Sequence, residues 1–484
     1  MSKETLKEKT VKGLFWGGLS NGVQQAIGVA FGILLGRLLT PDDYGMIAMI
    51  TIFTAIANTL QNSGFSTAIA NLKTPRHEDY NSVFWFNVIV GSLCYVVLFF
   101  SAPLIARYYH EPRLVPLCRF AFLSFWVSSL GIAQSAYLFK NLKAKQLAKA
   151  GMTAVLVSST VGAVMAWQGM SYWSLATQSL VYVAVCALLV WHYSDWRPTC
   201  DIDFGPVRRM FGFSSKVLAT NIMSQVNLNI LNILLGRYFS AHSTGCYNQA
   251  NQWNSKCAYL VQSMIAQVAQ PVLVDLKDQH ERQLLVLRKM MRFTAFITFP
   301  LLFGLGLVSH EFIVTALTAK WAASADLLRI LSISGATIPP CILLSNLVLS
   351  KGRSGIYFWI TFTLGLAEIA TMLLIWPLGI RTMVIAYTAI NVVWMFVWHE
   401  TVRRMTGYSH VMFLRDIMPF ALAAFAVMAA TYWLTLPVTN MAALLAVRVA
   451  VAPVLYYAVM KVARVHILAE CEQFVRTKLG KKPK

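Results

Sequence analysis

The sequence predicts an all-α integral membrane protein that crosses the bilayer about 14 times. Composition and the spacing of charges both point to this fold class. Of 484 residues, 57% are hydrophobic and 13% are charged, whereas a soluble domain has about 45–50% apolar and about 25% charged residues. The apolar residues form long charge-poor stretches, and about 20 such residues in a helix span the ~30 Å hydrocarbon core of a membrane.

Fourteen charge-poor stretches mark the predicted helices. The first six cover residues 13–36, 44–70, 82–105, 114–137, 150–168 and 172–194. The next six cover 212–236, 244–271, 290–308, 326–349, 356–376 and 381–398, and the last two cover 414–434 and 440–462. The first stretch follows several lysines as a signal peptide would. It is too long for a signal peptide and contains no small-residue cleavage site, so a membrane helix is expected.

Basic residues predict the orientation of these helices. Of the 41 lysines and arginines, 31 fall in the two tails and in alternate loops on the same side, and eight fall on the other side. Because cytoplasmic loops are enriched in Lys and Arg, both termini are predicted to be cytoplasmic. The net charge of +21 is spread over many loops, so no nucleic-acid partner is expected, and the basic C-terminal tail is expected to meet anionic membrane lipid.

Metal, disulfide and nucleotide chemistry have no sequence signature. The eight cysteines form no CxxC pair and show no ligand spacing with histidine, so neither a metal site nor a disulfide framework is predicted. The phosphate-binding pattern GxxxxGK[ST] does not occur in the sequence, which argues against ATP hydrolysis. We therefore expect no cofactor.

An internal repeat occurs at an offset of 200 residues. Leu34-Leu35-Gly36-Arg37, followed by Thr40 and Gly45, recurs as Leu234-Leu235-Gly236-Arg237, followed by Ser240 and Gly245. Each copy ends the first helix of a set of six. This predicts two pseudo-symmetric six-helix lobes, residues 1–197 and 198–405, followed by two additional helices and the basic tail in 406–484. Parallel repeats of this kind bind substrate between the halves and alternate access by rocking.

The same residues resemble a known superfamily. Leu34-Leu35-x-Arg37-x-Leu39-x-Pro41-x-x-Tyr44-Gly45 is similar to the multidrug/oligosaccharidyl-lipid/polysaccharide (MOP) exporters, in their polysaccharide-transporter branch. Further segments resemble the colanic-acid-exporter type of Wzx flippase, namely Asn62-Ser63-Gly64-Phe65, Phe84-Trp85-Phe86-Asn87 and Lys320-Trp321. The second copy departs from the pattern, because Ala241 replaces the proline and Thr244 replaces the tyrosine.

The resemblance implies a transporter rather than an enzyme. Its expected substrate is an undecaprenyl-diphosphate-linked oligosaccharide repeat unit, which would be flipped across the bacterial inner membrane for exopolysaccharide, capsule or O-antigen synthesis. Other polysaccharide assembly proteins are candidate partners. Coupling to a proton or sodium gradient is left open.

A glycan can cross only where helices present polar faces to a shared aqueous space. The first two helices of each repeat carry polar residues three or four positions apart, which places them on one helical face. These candidates are Asn21 and Gln25, then Asn58 and Asn62, then Asn221, Gln225, Asn229 and Asn232, and finally Asn248, Asn251, Gln252 and Ser255. Amides both donate to and accept from sugar hydroxyls. The alternative is that they only bond neighbouring helices to each other.

Three basic residues in or near membrane helices are candidates for the substrate diphosphate, because a buried cation is costly and needs a partner. Lys256 lies beside the amides of the eighth helix and is the leading candidate. Arg448, on the last helix, would either guide the diphosphate or extend along the bundle toward the membrane surface. Arg119 would either line the cavity or anchor its helix at the interface.

Three more charged residues are candidates for gating and coupling. Arg37 and Arg237, at equivalent positions of the repeat, would cap helix C-termini or form a gate at the outer mouth. Glu368 is the only carboxylate well inside a predicted span. It would either bind a coupling ion or pair with a buried cation such as Lys256 or Arg448.

Two other functions remain open. A multidrug antiporter on the same fold would need more acidic residues and a more apolar cavity than the sequence offers. A membrane polysaccharide polymerase or ligase would need catalytic residues on a large outer loop. The longest predicted outer loop, 309–325, offers only His310, Glu311 and Lys320, which disfavours an enzyme.

Overall fold

A computed structural model describes residues 6–62, 75–201, 203–266 and 269–478. Side-chain surroundings are described for these residues except 6–15, 61–62, 206–217, 219–220, 266 and 474–478. All regular secondary structure in the described ranges is helical. Thirteen helical segments of the described chain are long and apolar enough to cross a membrane, and one of them, Leu114–Lys140, consists of three consecutive helices. The predicted fold class, a multi-pass α-helical membrane protein, is confirmed.

The chain divides into two compact units, residues 1–245 and 246–484. The helices that begin in the first unit are α1 (Leu6–Leu38), α2 (Pro41–Asn62), α3 (His77–Tyr109), α4 (Leu114–Ala121), α5 (Leu123–Ser129), α6 (Ile132–Lys140), α7 (Ala144–Trp167), α8 (Tyr172–Tyr193), α9 (Gly205–Tyr238) and α10 (Ala241–Ala266). Helix α10 continues into the second unit.

The remaining helices belong to the second unit. They are α11 (Ala269–Asp275), α12 (His280–Leu307), α13 (Ser309–Ala316), α14 (Ala322–Ser350), α15 (Ser354–Ile375), α16 (Ile380–Thr406), α17 (His410–Leu434), α18 (Met441–Val462) and α19 (His466–Lys478). Two short 3₁₀ turns precede α14 and α16. Helix α19 shows that part of the predicted basic tail is helical.

The predicted count of fourteen spans is approximate. The seventh predicted helix exists as α9, whose 34 residues are long enough to span a membrane, but it is not among the thirteen apolar helices. Its polarity has a plain cause, because five Asn and Gln residues lie between positions 221 and 232. The fourth predicted helix, 114–137, is divided into α4, α5 and α6.

Helix α7 lies between α1 and α8, and its glycines allow close packing of both neighbours. A Cβ added to Gly151 would lie 3.0 Å from the Gln24 amide nitrogen of α1. A Cβ added to Gly162 would lie 3.0 Å from the Gln178 Cβ of α8. A residue larger than glycine at either position of α7 would therefore displace the glutamine that packs against it.

Helix α9 packs mainly against α2 and α3. It therefore belongs to the first unit, which ends at residue 245. Gly236 of α9 meets the Met49 and Tyr109 side chains, since a Cβ there would lie 2.8 Å from each. The predicted lobes 1–197 and 198–405, with 406–484 as an addition, were drawn from the repeat rather than from packing. That division stays a prediction.

The second unit has an apolar core formed largely by α12, α14, α16 and α17. A buried carboxylate, Asp416 of α17, joins α17 to α12. The Arg288 guanidinium of α12 donates to it at 2.8 and 3.2 Å, and the Tyr408 hydroxyl donates at 2.9 Å. Charged and hydroxyl partners satisfy this carboxylate, as a buried charge requires.

Candidate functional site

The first unit contains a polar cavity of about 760 Å³ between α1, α2, α4, α5, α7 and α8. Twelve of its lining residues carry an amide or hydroxyl group, namely Gln24, Gln25, Thr51, Thr54, Asn58, Ser124, Ser128, Ser158, Ser159, Gln178, Ser179 and Tyr182. Its volume is within the ~300–1,000 Å³ of ordinary small-molecule sites. These helices belong to segments that are long and apolar enough to cross a membrane, so the cavity provides polar groups between apolar helices.

Two of the predicted residues of the first repeat line this cavity. Gln25 of α1 and Asn58 of α2 are both lining residues, together with Thr51 and Thr54 of α2. Asn21, one helical turn before Gln25, is exposed and is not among them. The side chain of Asn62 lies outside the described residues, as does the segment 63–65 of the motif that it begins.

The predicted residues of the seventh helix divide into two groups. Asn221 of α9 is exposed and Gln225 is half-buried, whereas Asn229 and Asn232 are buried. The Asn229 amide donates to the backbone carbonyl of Gln225 at 2.9 Å, within its own helix. None of the four lines the polar cavity of the first unit. The structure therefore does not bring them together with Gln25 and Asn58 there.

The predicted face of the eighth helix is the more accessible face of α10. Asn248 and Asn251 are half-buried, and Gln252 and Ser255 are exposed. The buried amides of α10 are Gln249 and Asn254, which sequence reasoning did not select. The predicted face is therefore distinct from the buried face of α10, and its role in binding stays a prediction.

Lys256 lies next to this face and is half-buried. Its Nζ lies 4.5 Å from the ring centroid of Trp253, a cation–π geometry. Within the described part of the chain, no carboxylate lies at ion-pair distance from Lys256. The expectation that Glu368 pairs with it is therefore wrong for this structure.

Arg448 is buried in an ion-pair network of the second unit. Its Nη1 donates to Glu311 Oε1 at 2.8 Å, and its Nε donates to the Thr435 hydroxyl at 3.1 Å. The guanidinium also lies 5.2 Å from the Tyr432 ring centroid. The expected pairing of Arg448 with Glu368 is thus wrong, because α13 brings Glu311 to Arg448 instead.

Glu368 of α15 is buried within the second unit, and the Asn391 amide of α16 donates to it at 3.1 Å. Tyr247 and Tyr387 lie close enough to interact with it electrostatically. Its second oxygen, Oε2, has no hydrogen-bond partner among the described residues. The partners of Glu368 are therefore neutral, and one carboxylate oxygen is left for a further ligand.

Arg119 of α4 is half-buried, and its guanidinium lies 4.5 Å from the Phe99 ring centroid of α3. Arg119 does not line the polar cavity, although Ala121 and Ser124 do. The structure thus gives Arg119 an aromatic partner on a neighbouring helix, and its anchoring at the membrane interface stays a prediction.

The predicted gate arginines lie at the ends of α1 and α9. Arg237 Nη1 donates to the Tyr108 carbonyl at 2.6 Å and also contacts His110. Arg237 therefore caps the C-terminus of α3 rather than that of its own helix. Arg37 is exposed in the last turn of α1.

The first turns of α2 and α10 contact each other reciprocally, directly after these arginines. A Cβ added to Gly45 would lie closer than 3.0 Å to the Ala241 carbonyl, and one added to Gly245 would lie equally close to the Pro41 carbonyl. Asp42 Oδ2 lies 3.2 Å from His242 Nδ1. In each contact, a residue of one repeat copy meets a residue of the other copy, and the contact at Gly45 recurs at Gly245. This reciprocity is the pattern of a two-fold axis.

Neighbouring polar groups hold the α2 turn in place. The Thr40 backbone N–H and hydroxyl donate to Asp43 at 2.8 and 2.7 Å, which is a helix-capping arrangement, and Ser171 also contacts Asp43. Close by, Arg113 forms an ion pair of 2.8 Å with Glu111. The Arg113 hydrogen bond lowers the pKa of Glu111. We call the contact between 41–45 and 241–245 the repeat contact.

The sequence pattern of a family described as polysaccharide biosynthesis protein matches residues 34–326, more than half of the chain. The chain belongs to this family. The lipopolysaccharide biosynthesis protein WzxC of Escherichia coli K12 is 26% identical over 360 residues, which cover 73% of this chain and 72% of that protein.

Two solved structures show the fold of this member of the polysaccharide biosynthesis family. The lipid II flippase MurJ in an inward-closed conformation has a TM-score of 0.76 at 13% identity, covering 94% of this chain and all of that one. An inward-facing multidrug resistance MATE transporter of the MOP superfamily has a TM-score of 0.63 at 15% identity, covering 82% and 95%. The chain therefore has the fold of these two transporters.

Most of the cavity of this family member was not predicted from the sequence. Gln24, Ser158, Ser159, Gln178 and Ser179 all line it. A signal was present, since Tyr182 lies four positions after Gln178 and three after Ser179, the spacings that place side chains on one side of α8. The fifth and sixth predicted helices contain no asparagine, so a pattern of amide side chains does not reveal their hydroxyl groups.

Proposed function

We propose that this protein is a flippase for lipid-linked oligosaccharides. The observation that carries the proposal is the cavity of about 760 Å³ lined by amides and hydroxyls within membrane-spanning helices, in a chain of a polysaccharide biosynthesis family. A purely structural bundle has no need for such a cavity, because unsatisfied polar surface in a membrane is costly. The names of WzxC and MurJ, a lipopolysaccharide biosynthesis protein and a lipid II flippase, support the same function.

The substrate that we propose is an undecaprenyl-diphosphate-linked oligosaccharide, moved from the cytoplasmic to the periplasmic leaflet of a bacterial inner membrane. Its glycan enters the polar cavity, while its polyprenyl tail stays in lipid. Both termini lie in the cytoplasm, as the distribution of basic residues suggests. Polysaccharide assembly proteins on both sides of the membrane would supply and consume the substrate.

Lys256 is the proposed partner of the diphosphate. It is half-buried, and the structure records no carboxylate near it in the described ranges, so its charge is open to an anion. A hydrogen bond between charged groups contributes about 1.5–3 kcal/mol. Arg448 already has Glu311 as its carboxylate partner, and this makes it the weaker candidate.

Glu368 is the proposed site of ion coupling. Its partners Asn391, Tyr247 and Tyr387 are all neutral, so protonation or a bound sodium ion would balance the buried charge. The same residue favours one second candidate function, a cation-coupled multidrug antiporter. The fold does not separate the two functions, because a MATE transporter and MurJ share it.

Deletion of the gene in a polysaccharide-producing bacterium tests the proposal. We expect undecaprenyl-linked repeat units to accumulate in the cytoplasmic leaflet, because synthesis continues while flipping stops. Lipid extraction with leaflet-specific glycan labelling measures this, and a plasmid copy of the intact gene should restore export. Unchanged lipid-linked pools together with altered drug resistance would favour the antiporter.

Lys256→Ala is expected to lower export by about tenfold or more, the factor that corresponds to ~1.4 kcal/mol of lost diphosphate binding. Lys256→Arg should retain export, because a cation remains. The measurement is the rate of polysaccharide release at matched membrane levels. Lys277→Ala, at an exposed loop lysine, is the matched control. Full export by the alanine variant would remove Lys256 from the mechanism.

A further inference from the structure

The walls of the polar cavity in the first unit are electrically neutral. None of its described lining residues is Lys, Arg, His, Asp or Glu. A diphosphate or a carboxylate-bearing sugar placed there would lose its hydration without gaining an opposite charge, and burial of an unpaired charge is strongly unfavourable. The cavity therefore discriminates by charge before any detail of sugar shape matters.

The hydroxyl groups of the walls are mostly committed as donors. Thr51 donates to the Ile47 carbonyl at 2.9 Å, Ser124 to Ala121 at 2.7 Å and Ser179 to Leu175 at 3.1 Å. Thr54 and Ser158 donate to their own helices in the same way. A hydroxyl has one proton to donate and two lone pairs, so these five groups can offer only acceptor positions to a ligand.

Two of the wall amides are also partly committed as donors. The Gln24 amide donates to the Ser20 hydroxyl at 2.8 Å, and the Gln178 amide donates to the Ser159 hydroxyl at 3.3 Å. Their carbonyl oxygens are acceptors. Seven of the twelve amide and hydroxyl groups of the walls thus have a donor hydrogen that is already engaged within the protein.

From this surface we infer that the cavity selects the uncharged, hydroxyl-rich part of the lipid-linked glycan and excludes acidic sugars and the diphosphate. Each sugar hydroxyl donates one hydrogen bond, which the wall acceptors take. Carboxylate and phosphate oxygens only accept, and no described wall residue carries the positive charge that would balance theirs. An organic cation finds acceptors but no carboxylate to balance its charge. The inference rests on the proposed function and names the substrate class that this site takes.

Binding of paired synthetic probes tests the inference. The full-length chain in lipid nanodiscs is titrated with a short-chain polyprenyl-diphosphate tetrasaccharide made only of glucose, and with the same molecule carrying one glucuronic acid in place of a glucose. The neutral probe is expected to bind about tenfold or more tightly than the acidic one, since the two differ only in the charge that the cavity would bury. Equal affinities, or tighter binding of the acidic probe, would overturn the inference.

A charge-inserting variant makes the test specific to the cavity. Gln25 lines the cavity and is otherwise exposed, so Gln25→Lys adds a cation at little cost to folding. We expect this variant to bring the two affinities together or to favour the acidic probe. The matched control is Gln270→Lys, at an exposed position of α11, which should keep the wild-type preference. An unchanged preference in Gln25→Lys would show that the glycan lies elsewhere.

The same titrations separate failure of the inference from failure of the proposed function. If the protein is not a lipid-linked oligosaccharide flippase, neither probe binds, and both conclusions fall together. If only the inference is wrong, both probes bind without the expected preference. Displacement of the neutral probe by tetraphenylphosphonium at lower concentration than by free glucose oligomers would instead assign the cavity to cations.

Discussion

Gly45→Ala is expected to lower export by about tenfold or more while leaving the protein in the membrane. The added Cβ would lie closer than 3.0 Å to the Ala241 carbonyl, and the neighbouring atoms are backbone rather than flexible side chain. Overpacking of this kind costs about 1–3 kcal/mol, which shifts a two-state equilibrium by a factor of about 5 to about 150. Gly245→Ala should have the same effect, because its Cβ would meet the Pro41 carbonyl.

The expected cause is a repeat contact that no longer closes. Thr54 lines the cavity, so Thr54→Cys in the Gly45→Ala background should react faster with a membrane-impermeant maleimide applied from outside than Thr54→Cys alone. Gly22→Ala is the control, since a Cβ there meets nothing within 4 Å. Wild-type export by both Gly45→Ala and Gly245→Ala would show that closure of this contact is not part of transport.

The repeat contact illustrates what a sequence can and cannot predict. The offset of 200 residues is visible because duplication leaves aligned letters, and Gly45 and Gly245 were among them. Their contact depends on the tertiary structure, since Gly45 meets Ala241 and Gly245 meets Pro41 of the other copy. The pairing of Asp42 with His242 was equally invisible, because the two residues differ in chemistry although they share a repeat position.

The helices were predictable because a helix that lies in a membrane needs a high average hydropathy. That average can be read from the amino-acid composition of a short stretch of sequence. Helix α9 is the instructive case. Its amides lower its hydropathy, so it is not among the thirteen apolar helices, yet its buried Asn229 and Asn232 lie inside the first unit. Which face of a helix meets a cavity depends on its neighbours, and for this reason the cavity is lined by Gln25 and Asn58 but not by Asn21.

The acidic partner of Arg448 does not lie in any of the predicted membrane spans. Glu311 lies in the segment 309–325, which reads as an outer loop because it is short and polar at its start. In the structure, Ser309–Ala316 folds as α13 and packs against α14 and α18. A nearly buried carboxylate results, and a buried cation is its natural complement.

Arg448→Met is expected to destabilise the protein by about 3–5 kcal/mol, because it leaves the buried Glu311 carboxylate without its counter-charge. Glu311→Leu should cost a similar amount for the converse reason. The measurement is thermal unfolding of the purified chain in lipid nanodiscs. Arg381→Met, at an exposed arginine, should unfold close to the wild-type temperature. A wild-type unfolding temperature for Arg448→Met would mean that the ion pair contributes no stability.

The double variant Arg448→Met/Glu311→Leu separates a structural role of Arg448 from a role in substrate binding. Replacing both members of a buried ion pair by apolar residues is often neutral or stabilising, so the double variant should regain most of the lost stability. If Arg448 only neutralises Glu311, export should return as well. A double variant that is stable but does not export would instead assign Arg448 to the substrate diphosphate, as the sequence first suggested.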